Sequence, residues 1–193
     1  MIKNKEDYKY YLKQDALALR KVNQKRPRIV GDRIWKFQRA LRKCEYHRTF
    51  SKTKKMLLAP LILFHKIKFK KLSEHTSFTI KLGTFGEGLS IAHRGTIVVS
   101  HCARIGKNCR IHEGVTIGGA NGSDDAAVIG DNVFIGPGVK IIGALTIADN
   151  VAIAANAVVT KSIEEPGTTW GGIPARKISD NDSRANLSPY LFE

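Results

Sequence analysis

IGKNCRIHEGVTIGGANG, residues 105–122, and IGDNVFIGPGVKIIGALTIADNVAIAANAVV, residues 129–159, return an isoleucine every six positions. Extended back to Val99 and on to Val159, the series fails only at Ser123. Behind most of these residues stands a small one: Gly106, Gly118, Gly130, Gly136, Ala148, Ala154. An amphipathic helix would repeat apolar residues at about 3.6 and a half-buried strand at about 2. A period of six predicts a solenoid in which each hexad is one short strand plus a turn.

Outward from this core the chain changes character. Of its 193 residues, 1–75 carry 22 Lys/Arg against 6 Asp/Glu, whereas 76–193 carry 10 against 11. The charge surplus therefore belongs to the front, residues 1–75, and not to the solenoid, residues 76–178; residues 179–193 form a polar tail, expected to be poorly ordered at its end. Three cysteines without metal-type spacing point to free thiols in a reducing compartment, with Cys102 and Cys109 as small wall fillers. No metal is expected. No apolar run approaches a membrane span, and MIKNKEDYKYYLK lacks the apolar core of a signal peptide, so a cytoplasmic location is expected.

The front reads as helical. Residues 5–22 place Tyr8, Tyr11, Leu12, Ala16 and Leu19 on one face, and Pro27 interrupts. Asp32 is positioned to cap a second helix from Arg33 to Thr49. A third apolar segment, Met56–Phe64, contains Pro60 and runs into the basic Lys66–Lys71. Solvated faces packing on neighbouring subunits are one reading of the charge. Peripheral attachment to an anionic membrane, at the inner face, is the other. Nucleic acid is not expected, because no recognised binding motif accompanies the lysines.

The hexads, closed by GGIPAR at 171–176, resemble the hexapeptide acyltransferases, and AHRGTIVV (92–99) with GVTIGG (114–119) resembles their serine acetyltransferase branch and its polysaccharide O-acetyltransferase relatives. The resemblance covers residues 78–178. It implies a mainly β fold, a left-handed parallel β-helix of three hexads per coil, after a small α-helical N-terminal region. It also implies a homotrimer with acetyl-CoA as co-substrate. The helical front resembles an abbreviated form of the helical domain those enzymes carry.

Acetyl transfer to a hydroxyl needs a base, an oxyanion donor and a groove for the pantetheine arm. His93 matches the histidine of the family's catalytic turn. Where serine acetyltransferases place an orienting aspartate upstream, this chain has Phe78. The spacing of eight between Ile91 and Val99 adds two residues to that turn. Counting a coil on that basis sets Glu113 over His93, about 4.8 Å away, as orienting partner. His112 is a second base candidate and His101 a weaker one. Gly118 and Gly119 could offer oxyanion N–H groups. For CoA the expected wall is Gly118, Gly136, Gly138, Ala154 and Ala155, with Lys161, Arg176 and Lys177 for its phosphates.

Two departures bear on the acceptor. The family's aspartate before the catalytic histidine is Ala92 here, and its Asp-Arg-His run falls near Asp124–Ala127, without a cation. A carboxylate acceptor would need one. The sequence alone therefore favours a sugar or glycan hydroxyl, in surface polysaccharide synthesis, over serine O-acetylation. A non-catalytic scaffold or membrane-associated binding protein is the third reading.

Overall fold

The computed structural model describes residues 1–193. Helices fill the front. α1 (Lys5–Ala18) starts at Asn4, whose side chain accepts from the Asp7 amide at 2.8 Å. It stops short of the expected residue 22, because Arg20 takes a left-handed φ of 58°. α2 (Arg33–Arg48) begins where expected, but Asp32 does not cap it. With φ 47°, Asp32 turns its carboxylate back to the Arg28 amide (3.0 Å) and Lys21 Nζ (3.1 Å), closing the loop before the helix instead. The expected third segment is two helices, α3 (Lys52–Leu57) and α4 (Ala59–Thr76). Pro60 sits in the first turn of α4, where its missing N–H breaks no helical bond, so the basic run continues as helix.

From Phe78 the chain winds through strands of two to four residues in three ladders, parallel except for their closing pair. One ladder stacks Ile80, Val99, Ile117, Ile141 and Val159. A second stacks Ile105, Ile129 and Ile147. The third stacks Ile91, Ile111, Ile135, Ile153 and Trp170. All the aliphatic members are buried, each worth roughly 1.5–3 kcal/mol. Beside them, Asn108, Asn132 and Asn150 turn corners at positive φ and hand hydrogen bonds along the column at 2.8 and 3.0 Å. An antiparallel pair, Thr169–Gly171 with Arg176–Ser179, closes the third ladder.

Register reads out the insertions. Val99 faces Ile117 and Ile141 faces Val159, a coil of 18 residues. Ile117 faces Ile141, a coil of 24, so one whole hexad leaves the wall at the 119–127 loop. That is the missed beat at Ser123. Ile91 faces Ile111, a coil of 20.

The front is bolted to the first coils by buried polar groups. Arg42, fully buried, donates to Asp15 (2.9 Å), Glu45 (3.0 Å) and the Phe85 carbonyl (2.9 Å). Asp15 in turn accepts from the Leu89 amide at 3.0 Å. Gln38 donates to the Leu89 carbonyl at 2.6 Å and meets the Ile91 amide at 3.4 Å. The tail is not loose, against expectation. Ser183 Oγ bonds the Asn132 carbonyl, Leu187 is buried, and Ser188 Oγ donates to the Leu17 carbonyl at 2.7 Å. Cys44 and Cys109 are buried free thiols and Cys102 is half-buried. No helix is long and apolar enough to cross a membrane.

Candidate functional site

The 20-residue coil hides its two extra residues in one turn. The Ala92 amide still bonds the Ile111 carbonyl (3.0 Å), yet the Gly114 amide already bonds the Thr96 carbonyl (2.8 Å). Between these two rungs His93, Arg94 and Gly95 bulge from the wall, and His93 and Arg94 are exposed. Gly95 has φ 146°, and a Cβ there would sit 2.8 Å from Glu113 Cβ. Glu113 therefore lies over Gly95 and not, as the coil count predicts, over His93. The bulge displaces His93 from the register on which the count relied.

His112 comes to His93 instead, with ring centroids 5.7 Å apart. Its ring stands edge-on to Phe134 at 5.3 Å, and its Nδ1 is 3.8 Å from Glu113 Oε2. Arg110 Nε approaches His112 Nε2 at 3.4 Å, which assigns that nitrogen as acceptor and puts the proton on Nδ1, toward Glu113. Burial, and then the Arg110 charge, holds His112 below the ordinary histidine range. A neutral imidazole whose free lone pair faces a guanidinium is a poor base. His93 carries no such contact and is the accessible ring of the pair. Glu113 Oε2 is shielded from solvent without a hydrogen-bond partner, and its charge acts on His112. The His101 ring meets Cys102 Sγ at 3.4 Å and does not join the cluster. Phe78, standing where the family's aspartate would be, is buried edge-on to Phe37 at 5.1 Å and offers no acceptor.

On the other side of the bulge lies a cavity of about 640 Å³. Ile91, Ala92 and Arg94 form its solenoid wall; Arg33, Ile34 and Trp35 of α2 form the facing one. Lys21 and Asp32, paired at 3.1 Å, close its rim. With Ala92 in place of a carboxylate, Arg94 and Arg33 reach the cavity with no anion in that wall. Sequence reasoning missed this pair. Arg94 adjoins His93 and could have been noticed, but Arg33 meets it only because α2 docks on the first coils.

The groove candidates divide. A Cβ on Gly118 would meet open space, so that wall is low for a reason other than packing. Gly136 and Gly138 are small because the next coil is against them: a Cβ would lie 2.8 Å from the Ile153 carbonyl and 2.1 Å from Asn156 Oδ1. At Gly119 a Cβ would overlap the Ser123 carbonyl of its own loop. Ala154 bonds the Trp170 carbonyl through its amide (2.8 Å), and Ala155 is exposed beside it. Lys177 is held by Glu165 and Asp180, both at 2.6 Å, which raises its pKa and satisfies its charge. Lys161 and Arg176 are exposed and without a carboxylate partner, free for a phosphate. No cluster of histidine, cysteine and carboxylate side chains could hold a metal ion.

The chain is similar to known proteins along most of its length. Residues 126–161 match the family model described as bacterial transferase hexapeptide (six repeats). The serine acetyltransferase of Staphylococcus xylosus is 36% identical over 151 residues, 74% of this chain and 67% of that one. That of Staphylococcus epidermidis is 38% identical over 117 residues, 56% of this chain and 54% of its own length. The chain thus spans two-thirds of the first relative and about half of the second. Among solved structures, serine acetyltransferase from Brucella abortus in complex with coenzyme A superposes with a TM-score of 0.65 at 26% identity, over 92% of this chain and 70% of that one.

Proposed function

Since the chain belongs to the hexapeptide-repeat acyltransferases, in their serine acetyltransferase-like branch, we propose that it moves the acetyl group of acetyl-CoA onto the hydroxyl of serine. The solenoid is then a left-handed β-helix and the working form a homotrimer, as in the family the sequence resembles. His93 removes the hydroxyl proton as the oxygen attacks the thioester carbonyl. The tetrahedral intermediate collapses by breaking the carbon–sulfur bond, and the leaving thiolate takes the proton back from the imidazolium. His112, kept neutral, packs beside His93 and limits its freedom, with Glu113 behind. Gly118 leaves room along the wall for the pantetheine arm, and Lys161 and Arg176 serve the phosphates.

The observation that carries the acceptor is the cavity at Ala92, with Arg94 and Arg33 in its walls. A zwitterion needs a cation for its carboxylate. The 119–127 loop supplies none, and this led the sequence reading to a sugar. The cations stand on the opposite side of the catalytic turn. Together with the serine acetyltransferase relatives, they favour serine and set the sugar preference aside. The test is acetyl-CoA turnover with free serine against a panel of monosaccharides and nucleotide sugars. Saturable serine turnover is expected; turnover of a sugar but not of serine would overturn the assignment. Absence of turnover with any acceptor would return the chain to the scaffold reading.

A further inference from the structure

A second cavity, of about 370 Å³, lies wholly in the helical front and shares no residue with the one beside His93. Its walls carry six cations: Arg26 and Arg28 from the loop before α2, Lys36, Arg39 and Lys43 from α2, and Lys68 from α4. No carboxylate lines it. The ion pairs of the front use other cations: Lys21 with Asp32, Arg42 with Asp15 and Glu45, and Lys70 with Glu74. The six charges around the cavity therefore repel one another, and Asp32, which accepts from the Arg28 backbone amide, lies outside the lining. Such a concentration of one sign in a recess attracts and holds anions.

The cavity is a built recess as well as a charged one. Lys36 Nζ donates to the Ile29 carbonyl at 2.6 Å, fixing the loop that brings Arg26 and Arg28 to the rim. Lys43 Nζ lies beside the stacked rings of Tyr8 (5.3 Å) and Tyr46 (5.8 Å), and burial lowers its pKa. His65 also faces the cavity, and its Nδ1 is buried without a partner. Lys36, Arg39 and Lys43 recur at helical spacing over seven residues, so they line about 10 Å of α2. That row is longer than one phosphate group. On the far side of Lys68 an apolar groove continues past Phe64, Ile67 and Leu72 to Lys71.

We propose that this cavity binds a ligand carrying two or more linked phosphate groups, either a free phosphoanhydride or the headgroup of a lipid whose tail follows the groove. Guanidinium and ammonium groups together suit it: the arginines grip phosphate oxygens in pairs and the lysines act as point charges. The inference does not rest on the acetyl-transfer reading, and its test does not use acetyl transfer as the readout.

The experiment titrates the full chain with inorganic pyrophosphate at low salt by calorimetry, and measures co-sedimentation with vesicles of phosphatidylcholine alone or with diacylglycerol pyrophosphate. The variant Arg39→Gln/Lys43→Gln removes two cavity cations. Lys52→Gln/Lys70→Gln removes two lysines elsewhere in the front and serves as the charge-matched control. Pyrophosphate is expected to bind at a single site, and the cavity variant to raise Kd by about tenfold or more while the control does not. If vesicle binding needs diacylglycerol pyrophosphate, is lost in the cavity variant and is competed by pyrophosphate, the source is a lipid headgroup. If pyrophosphate binds and vesicles do not, the source is a free phosphoanhydride. No binding of either, or equal loss in the control, overturns the proposal. An oligonucleotide that outbinds pyrophosphate and is not displaced by it also overturns it. Circular dichroism melting of both variants excludes misfolding as the cause of a loss.

Discussion

The solenoid and the helical front solve the same problem, burying a core, by opposite means. The solenoid repeats one solution: isoleucine above isoleucine in three ladders, with the charged groups outside. The front is built once, around a fully buried Arg42 shared by Asp15 and Glu45, and it carries the whole positive surplus. A repeated apolar ladder tolerates local irregularity, because each rung is held by the ones on either side. A buried ion triad does not, since losing one member strands the others. This explains where the irregular turn could arise: the solenoid accepts two extra residues at His93–Gly95 and six at the 119–127 loop without losing its register beyond them.

The sharpest way to test this division is to separate rate from stability. His93→Ala should cut kcat by about 10²–10⁴ and leave the melting of both regions in place; an unchanged kcat would remove the turn from the chemistry. Arg42→Met should cost about 3–5 kcal/mol by stranding the Asp15 carboxylate, whose pKa burial already raises. Urea unfolding should then show the front leaving before the solenoid; one transition with an unmoved midpoint would break the contrast. Ile135→Ala, in the middle of the third ladder, should cost about 2–5 kcal/mol and lower the last transition rather than the first.

Smaller effects refine the picture. Arg94→Gln should raise KM for serine by about tenfold with kcat nearly kept, if its charge holds the carboxylate; a fall in kcat with no change in KM would give Arg94 another role. The weakest effect is on pH. His47 is buried against His65, and burial first, with His65, Lys43 and Lys66 adding to it, lowers its pKa to about 4. Between that value and the ordinary histidine range the unfolded chain binds a proton that the folded one refuses. Stability should therefore fall as pH drops from 7 to 5, by on the order of 1 kcal/mol from His47, with His65 in the front and His112 in the solenoid acting in the same direction. His47→Phe should reduce that slope; an unchanged slope would place its source elsewhere.

The solenoid was legible in the sequence because its pattern is its structure: the six-residue period of Ile and Val is the stacking of the ladders. Even the missed beat at Ser123 corresponded to a hexad leaving the wall. The front was legible only as helices. That Asp32 would turn back to Arg28 instead of capping α2, or that Pro60 would begin a helix instead of ending one, depends on loop geometry that no local pattern encodes. The site fell between these cases. His93 is proposed from the motif around it and from its exposed place on the bulge, whereas the partner counted from coil length lies against Gly95, two residues on, because the bulge breaks the arithmetic just where it is applied. The cavity cations could not be read at all, since Arg33 and Arg94 are brought together by the docking of Gln38 and Arg42 on the first coils.

The tail, finally, has a consequence for how the two regions hold together. Between Ser183, bonded to the Asn132 carbonyl of the solenoid, and Ser188, bonded to the Leu17 carbonyl of α1, it straps the column to the front. A backbone cut between these two serines should loosen α1 from the column while leaving the ladders wound.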